Sequence, residues 1–595
     1  MKKVLSLILA ATMVLSLAAC GGAASSSEAA PASSGEAAPA SSSEAAPSSG
    51  SEADPASSSE AAPASSSEAA PSETAEKVFY SNQGALEYFE LPWKNANNTN
   101  DSKMVYETLI GTDYKLDLTT ESGMAESYSF DEDGLGAVVT LRDGLKWHDG
   151  EDVTIEDVRF SIEHCILDSV MTISVIKNAL RDLEGAEEYL AGTAEHVSGI
   201  TTDGKTIHLR FAKVAPNMAV SLGELAILPK HLLEDADWMQ IQQDPYFQKP
   251  IGSGPFMFDE VKYGEYSILK PFPGYWDGEA DFTIYLNANS YESDPNLVQN
   301  TRAGLIDYAY TKNFDDVKAL REIEGISIYS TPAMYTRFIE FNQFKRKGED
   351  TINPLSDVRV RQAFAYAIDR KAICDGIFEG VSTPGDGMLT PSYSAWRGSS
   401  EGFESYDYDP EKAKALLAEA GWDSSRVLKL AYYYQDQLTV DLMSIVQQYL
   451  ADVGVKVEPY LVTGDLVEKL NVPSTGFTVE DTSGVEWDLL YGALSAMTPL
   501  QYVEMFGATS ANNVCPMDDE IVEIYENIFA TADVDEQKMW YEKFDQWCAT
   551  QMPYVPMYYQ PQFVIVSDKV DGNVVNWGNP QFNWDWDLQH WTLKY

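Results

Sequence analysis

The fold class is indicated by residues 427–457, which read VLKLAYYYQDQLTVDLMSIVQQYLADVGVKV. The segments 427–434 and 455–457 have the Val, Leu and Tyr content typical of strands. Between them, apolar side chains recur at helical spacing and stop before a Gly: Leu442, Ile445, Val446, Tyr449, Leu450 and Val453. The order strand, helix, strand predicts two parallel strands joined by a right-handed crossover, as in a doubly wound α/β lobe.

Further elements are predicted on the amino-terminal and carboxy-terminal sides of this unit. A capping Asp, a Pro at the first helical position and a closing Gly predict a helix over 409–421. Thr154, followed three residues later by Asp157, has the pattern of a capping box and predicts a second helix. Residues 137–142 read AVVTLR and have the composition of a strand. We therefore expect the globular part of the chain to be α/β.

A third helix is predicted over 357–368. Its apolar face consists of five positions at helical spacing: Val360, Ala363, Phe364, Ala367 and Ile368. Arg359 and Arg361 interrupt this pattern, and we expect them on the outer face of the helix or in ion pairs rather than at a ligand.

The composition excludes one class of partner. The chain has 595 residues, 41 Lys and Arg against 92 Asp and Glu, a formal charge of -51, and 44% hydrophobic residues. This length predicts several domains with large cores. Binding to nucleic acid is excluded because phosphate contacts require clustered Lys and Arg. We expect the acidic excess to form a solvated surface; a site for cationic ligands is the alternative.

The amino terminus predicts export. Two Lys precede an apolar run over 4–19 that is too short to span a bilayer but has the length of a signal-peptide core. The run ends in LAACG at 17–21, which resembles the lipobox of bacterial lipoproteins. By this resemblance, residues 1–19 are a signal peptide, and Cys20 is acylated and anchors the protein to the outer face of the cell membrane. Ordinary secretory cleavage without a lipid is the alternative.

Residues 20–76 are predicted to form a disordered linker behind this anchor. An octad rich in Ser, Glu, Ala and Pro repeats over 25–72, with a Pro in every repeat. Such a sequence has no apolar face to bury and cannot form a long helix. As a flexible chain it would have a root-mean-square reach of roughly 40 Å. Glycosylated surface decoration is an alternative role for these serines.

The sequence contains no recognisable catalytic or metal-binding motif. The six His residues are scattered, and the four Cys residues of the globular part are far apart: Cys165, Cys374, Cys515 and Cys548. We expect these thiols to be buried, with one or two disulfides as the alternative. The prediction is therefore a protein that is not an enzyme, with no catalytic residue, no cofactor and no metal.

A series of short motifs from residue 77 onwards resembles one protein family. The motifs are VYETL at 105–109, TLRDGLKWHDG at 140–150, GSGPF at 252–256, GYWDG at 274–278, DVRVRQA at 357–363, YDPEKA at 408–413 and MPYVPMYY at 552–559. Each is weak alone, but their order and separations are similar to those of the solute-binding proteins of oligopeptide, dipeptide and nickel ABC transporters.

This resemblance implies an α/β fold of two lobes that close as a clamp, with an extra amino-terminal subdomain. By correspondence, lobe I covers 77–106, 212–309 and 561–595, the extra subdomain 107–211, and lobe II 310–560. Chain crossings near Asp307 and Gln560 are expected to form the hinge. The ligand must contact both lobes in the closed form, because closure requires a difference in affinity between the two states.

The resemblance also implies a set of ligand-binding residues: Asn97, Asn98, Tyr335, Trp396, Tyr491, Leu494, Ser495 and Ala496. Peptide-binding members commonly carry Gly-Trp-x-Ala-Asp-Tyr before a Pro, and its Asp pairs with the peptide amine. Here the matching segment 491–499 reads YGALSAMTP, so Ala493 replaces the Trp and Ala496 replaces the Asp. Another acid supplies the counter-charge, or the ligand is a modified or internal peptide stretch, or it is not a peptide.

The expected function is that of a lipid-anchored binding protein, monomeric, that captures a peptide or peptide-like solute and delivers it to the transmembrane subunits of an ABC permease. A carrier of a nickel chelate, a sugar or another small solute is the alternative among binding proteins. A surface sensor or adhesin that uses the same clamp is the alternative from another class.

Overall fold

The computed structural model describes residues 77–84, 89–94, 102–288, 296–331, 335–397, 404–464, 466–470, 478–507, 510, 513–572 and 585–594. The proposed lipidation site Cys20 and the linker 20–76 lie outside the described residues, as do Asn97 and Asn98. Within the described part of the chain, no helix is both long and apolar enough to cross a membrane.

The strands in chain order are β1 Val78–Gly84, β2 Gly111–Thr112, β3 Leu118–Thr119, β4 Ala125–Phe130, β5 Gly136–Leu141, β6 Ile200–Asp203, β7 Thr206–Arg210, β8 Phe256–Lys262, β9 Tyr266–Pro271, β10 Thr283–Ala288, β11 Tyr308–Thr311, β12 Ile326–Ser330, β13 Tyr335–Phe341, β14 Thr383–Pro384, β15 Val427–Tyr432, β16 Lys456–Leu461, β17 Leu489–Leu494, β18 Tyr554–Gln560, β19 Phe563–Ser567, β20 Val570–Asp571 and β21 Thr592–Leu593.

The α-helices are α1 Ser102–Val105, α2 Ile155–Cys165, α3 Ser174–Arg181, α4 Ala186–Leu190, α5 Met218–Gly223, α6 Lys230–Leu233, α7 Leu297–Arg302, α8 Phe314–Leu320, α9 Val358–Ala367, α10 Arg370–Ile377, α11 Pro410–Glu419, α12 Gln437–Asp452, α13 Leu466–Leu470, α14 Leu500–Glu504, α15 Asp519–Ile528 and α16 Val534–Gln551. Short 3-10 helices cover Ile241–Gln243, Pro245–Gln248, Pro354–Ser356, Pro391–Trp396 and Leu588–His590.

Three larger sheets organise these elements. A seven-stranded sheet has the order β12-β19-β11-β1-β10-β9-β8, and a six-stranded sheet has the order β14-β18-β13-β17-β15-β16. A four-stranded sheet, β4-β5-β7-β6, is antiparallel throughout. The first two sheets mix parallel and antiparallel pairs, and helices pack against them, which is the α/β construction expected of two lobes.

The strand, helix, strand unit predicted over 427–457 is confirmed. Strand β15 pairs in parallel with β16, and α12 connects the two strands. Leu428 and Leu430 of β15 are buried, and α12 buries one face made of Thr439, Leu442, Met443, Val446 and Leu450. The helical spacing of the apolar residues was therefore the correct signal for this lobe.

The predicted caps are also confirmed. The Asp157 carboxylate accepts hydrogen bonds from the backbone N–H and the hydroxyl of Thr154, at 2.8 and 2.9 Å, at the start of α2. At the start of α11, the Asp409 carboxylate accepts from the backbone N–H of Lys412 at 2.9 Å. These contacts satisfy donors that the first helical turn leaves without an intrahelical partner.

The expectation for Arg361 is wrong. Arg359 is exposed and pairs with Asp357 at 2.6 Å, as expected for an outer-face arginine. Arg361 is only 3% exposed, and its guanidinium donates to the backbone carbonyls of 355, 356, 551 and 552 at distances of 2.6–3.0 Å. It therefore joins the start of α9 to the end of α16, where it satisfies carbonyls that the helix end leaves unpaired.

The two large sheets are connected at two neighbouring crossings among the described residues. One chain segment leaves β12 at Ser330 and enters β13 at Tyr335, and the other leaves β18 at Gln560 and enters β19 at Phe563. The expected crossing near Gln560 is confirmed, whereas the one near Asp307 is wrong, because β11 and β12 both belong to the seven-stranded sheet. We therefore propose that lobe I continues to about 331 instead of ending at 309.

The two crossings are hydrogen-bonded to each other. The backbone N–H of Thr331 donates to the carbonyl of Gln562 at 2.9 Å, and the Gln562 N–H donates to the Thr331 hydroxyl at 3.2 Å. Both residues are buried. The connection between the lobes is therefore narrow and internally paired.

The four cysteines of the described chain are buried free thiols: Cys165, Cys374, Cys515 and Cys548. Burial raises the pKa of Cys374 and of Cys515 to about 12. The expectation of buried thiols is confirmed, and the alternative of disulfides is wrong.

Candidate functional site

Several of the predicted ligand-binding residues lie where the six-stranded sheet meets the two crossings. Tyr335 opens β13 and pairs with Gln560 at the end of β18, and Leu494 closes β17 opposite Thr336. The ends of three adjacent strands thus meet at one edge of the sheet. Tyr335 is 3% exposed and Leu494 is 1% exposed.

Trp396, Leu494 and Ala496 are brought together in one apolar cluster. Leu494 and Ala496 are buried members, and Trp396, at the end of its 3-10 helix, packs against the cluster with part of its surface exposed. The hydroxyl of Tyr393, from the same 3-10 helix, donates to the carbonyl of Ala496 at 2.6 Å. This contact fixes the backbone of the segment that follows β17.

Tyr491 lies deeper in the lobe than the other predicted residues. It is 1% exposed, and its hydroxyl is 2.6 Å from the hydroxyl of Tyr558 on the neighbouring strand β18. Burial raises the pKa of Tyr491, and the charge of Asp436 raises it further, whereas Arg337 lowers it. Ser495 follows Leu494 and is partly exposed. A ligand-binding role for these residues stays a prediction.

A cationic and aromatic cluster beside the crossings was missed from the sequence. The ammonium of Lys312 is 3.1 Å from the Tyr335 hydroxyl, and the Arg337 Nε donates to the Gln560 side chain at 2.7 Å. The Arg337 guanidinium carbon lies 4.3 Å from the ring centroid of Tyr434, a cation–π contact. The alternation of Tyr335 and Arg337 along β13 is the signal that places both on one face.

Side chains at the ends of three helices, α3, α5 and α14, also meet away from this cluster. Glu504, the last residue of α14, lies next to Ser174 and Asn217, whose side chains donate to its carboxylate at 3.5 and 3.4 Å. Thr498 donates to the Asn217 side chain at 3.2 Å. Thr498 and Glu504 belong to the segment that follows β17, so the predicted ligand-binding segment continues directly into these contacts.

Burial perturbs other carboxylates within the lobes. It raises the pKa of Glu340, on β13, to about 8. It also raises the pKa of Glu107 to about 7, although the hydroxyl of Tyr275 donates to this carboxylate and opposes the shift. Within the described residues, no group of three or more His, Cys, Asp and Glu side chains is arranged to hold a metal ion.

The sequence model of the bacterial extracellular solute-binding proteins, family 5 (middle), matches residues 119–510. The chain therefore belongs to this family, whose members bind solutes outside the cell. The family assignment agrees with the resemblance seen in the ordered motifs.

The sequence identity to individual relatives is low. A Brucella ovis protein, named for peptide binding with an ABC transporter, is 28% identical over 359 residues, covering 60% of this chain and 62% of its own length. The match thus spans less than two thirds of that relative. The oligopeptide-binding protein OppA of Lactococcus lactis subsp. cremoris is 26% identical over 490 residues, covering 77% of this chain and 80% of OppA.

The fold is shared with solved structures. The oligopeptide-binding protein AppA from Bacillus subtilis, in complex with a nonapeptide, superposes with a TM-score of 0.70 at 22% identity. The superposition covers 88% of this chain and 99% of AppA. The described chain therefore has the two-lobed α/β clamp fold.

Proposed function

We propose that this protein captures a peptide or peptide-like solute between its two lobes by hinge closure and delivers it to the transmembrane subunits of an ABC importer. The observation that carries the proposal is the pair of hydrogen-bonded crossings between two α/β lobes, with the predicted ligand-binding residues at the adjoining sheet edge. The names of the Brucella and Lactococcus relatives support the choice of peptide as the solute.

The proposal places the protein outside the cell, attached to the membrane through a lipid on Cys20, as a monomer that performs no chemistry on its ligand. The LAACG segment at 17–21 supports the lipid anchor. Membership of a solute-binding family supports the absence of catalysis.

The amine of a bound peptide requires a counter-charge other than residue 496, which is Ala. We propose Asp436 for this role, because it lies two residues after Tyr434, whose ring packs against that of the predicted ligand-binding residue Tyr491 at 6.0 Å, and because its side chain is exposed. Asp436 also caps α12 by accepting from the Thr439 N–H at 2.8 Å. Asp436→Asn retains a good cap and removes the charge, so it separates the two roles.

The test begins with mass spectrometry of whatever solute co-purifies with the protein. Thermal shift with defined peptide pools, N-acetylated peptide pools, sugars and nickel chelates follows. A ligand at about 100 times its dissociation constant should stabilise the protein by roughly 2.7 kcal/mol. Asp436→Asn should weaken binding of peptides with free amines and leave N-acetylated peptides unaffected.

One observation favours a second candidate. Ala496 is buried, so the position that carries an acid in peptide-binding members provides no charge here. A non-peptide carrier would need none. Stabilisation by a sugar or a nickel chelate, with no response to any peptide pool, would replace the peptide assignment with this one.

A further inference from the structure

Four side chains form a contact between the six-stranded lobe and the part of the chain that holds α3 and α5. We call Ser174, Asn217, Thr498 and Glu504 the closing contact. Asn217 is its centre: its amide nitrogen donates to Glu504 at 3.4 Å, and its amide oxygen accepts from Thr498 at 3.2 Å. Ser174, at the start of α3, donates to the other carboxylate oxygen at 3.5 Å. A single carboxyl group thus contacts two elements outside its own lobe.

This carboxyl group is in an unfavourable place for a negative charge. Its neighbours in the contact are neutral, and no positive side chain among the described residues lowers its pKa. The other titratable groups that face it are Tyr525 on α15 and, beyond Tyr525, Asp182, which pairs with Lys213 at 3.1 Å. Removal from water therefore dominates and raises the pKa of Glu504 to about 7, against the weaker effect of the Ser174 hydrogen bond.

We propose that the closing contact is a proton-controlled latch, in which neutral Glu504 holds the clamp closed and ionised Glu504 favours its opening. The inference rests on the hinge closure proposed above. Opening separates Glu504 from Ser174 and Asn217 and returns it to water. The cost of burying the charge then disappears, so the two states of the clamp differ in their affinity for one proton.

The direction of the pH effect follows from this difference. The pKa of Glu504 is about 7 with the closing contact formed, the arrangement that the proposal takes as the closed form, and it returns towards 4.5 in water. The stabilisation of the closed form is therefore complete below about pH 4.5 and is lost as the pH rises through 7. Each unit of difference between the two pKa values changes the closed-to-open ratio tenfold. Because Glu504 retains partial exposure, we expect a fall of about tenfold between pH 5 and pH 8.

Electron resonance distance measurement on the ligand-free protein tests the latch. Spin labels at Glu132→Cys and Asp535→Cys suit the purpose, because Gly134 and Ala532 come so close that a Cβ at Gly134 would lie 2.8 Å from that of Ala532. Of the five native cysteines, the four in the described part of the chain are buried, and the proposed lipid would block the thiol of Cys20. Both labelled positions are exposed. We expect the short-distance population to fall from pH 5 to pH 8.

Glu504→Gln should keep the short distance at both pH values, because its uncharged amide can accept from Asn217 through the oxygen and donate to the Ser174 hydroxyl through the nitrogen. Glu523→Gln, an exposed change on α15, is the matched control and should behave as the parent does. Asn217→Ala should lengthen the distance at both pH values, which tests the contact from the opposite side.

The same pH response in the parent and in Glu504→Gln, or no response in the parent, would overturn the latch. Addition of a peptide pool separates this failure from a failure of the proposed function. If the distances shorten with peptide but do not change with pH, the proposed function is supported and the latch is contradicted. Distances that respond to neither pH nor any tested solute contradict both proposals.

Discussion

Replacement of Arg361 by Met is expected to destabilise the six-stranded lobe strongly. The side chain is 3% exposed and donates five hydrogen bonds to four backbone carbonyls, which come from the turn before α9 and from the end of α16. Burial lowers the pKa of Arg361 to about 10, which leaves it charged at neutral pH. Met fills similar space but donates nothing, so the change removes the contacts and leaves the acceptors buried.

The expected magnitude follows from these acceptors. A buried acceptor without a partner costs about 1–3 kcal/mol, and hydrogen bonds from a charged donor contribute about 1.5–3 kcal/mol each. Relaxation and entry of water recover part of the loss, so we expect about 3–5 kcal/mol. For a lobe of this size, that corresponds to a fall of roughly 10 °C in melting temperature. Arg361→Lys should lie between Met and the parent, because one ammonium cannot reproduce the guanidinium fork.

The assay is thermal and urea unfolding followed by tryptophan fluorescence, with Trp547 of α16 as a buried reporter in the same lobe. The matched control is Arg359→Met, two residues earlier on the same helix. Arg359 is exposed and paired with Asp357, so its loss should cost little stability. Equal stabilities for Arg359→Met and Arg361→Met would refute the assignment of Arg361 as a buried connection.

Three further changes are expected to have distinct outcomes. Glu107→Gln should gain stability relative to the parent as the pH rises from 5 to 8, because a carboxyl with its pKa raised to about 7 loses its stabilising effect across that range. A melting-temperature difference independent of pH would contradict this. Ala532→Trp should collide with Gly134 only in the closed form and reduce the closed-to-open ratio by about tenfold, measured with the spin labels described above. An unchanged distance distribution would show that the two residues do not meet on closure. Asp488→Ala should cost about 3–5 kcal/mol in urea unfolding, because Asp488 is fully buried and pairs with Arg346 at 2.7 Å. A loss below 1 kcal/mol would contradict the pairing.

Features of the fold that depend on neighbouring residues could be predicted from the sequence. The apolar spacing that identifies the strand, helix, strand unit lies within residues 427–457 themselves. The caps at Thr154 and Asp409 require only residues three positions apart. The burial of four widely spaced cysteines also follows from composition alone. In these cases the tertiary structure agrees with the local preference, so the local signal is sufficient.

Features set by distant parts of the chain could not be predicted. Arg361 is buried because the end of α16, some 190 residues later, supplies carbonyls to it. The first crossing falls after 330 rather than near Asp307 because β12 adds to the sheet through β19, with Ile326 opposite Ser567. No periodicity within β12 specifies that partner.

The residues of the candidate site also fall into two groups, those that the sequence predicted and those that it could not predict. The family resemblance pointed to Trp396, Leu494 and Ala496, which do lie in one cluster. The cations around Tyr335 and the acid at Glu504 were missed, because their neighbours come from other elements. Among 92 acids, sequence spacing alone could not single out the one that contacts Asn217.

The link between Gln560 and Phe563 is only two residues long, and its Gln562 is tied to Thr331 of the companion crossing. Paired connections this short leave the lobes few torsional degrees of freedom, so their relative movement should follow a bend about one axis and not a free swivel. Fluorescent reporters fused to the two lobes would then register ligand capture as one reproducible change in separation. Residues inserted between 560 and 563 would broaden the distribution of reporter separations while leaving both lobes folded.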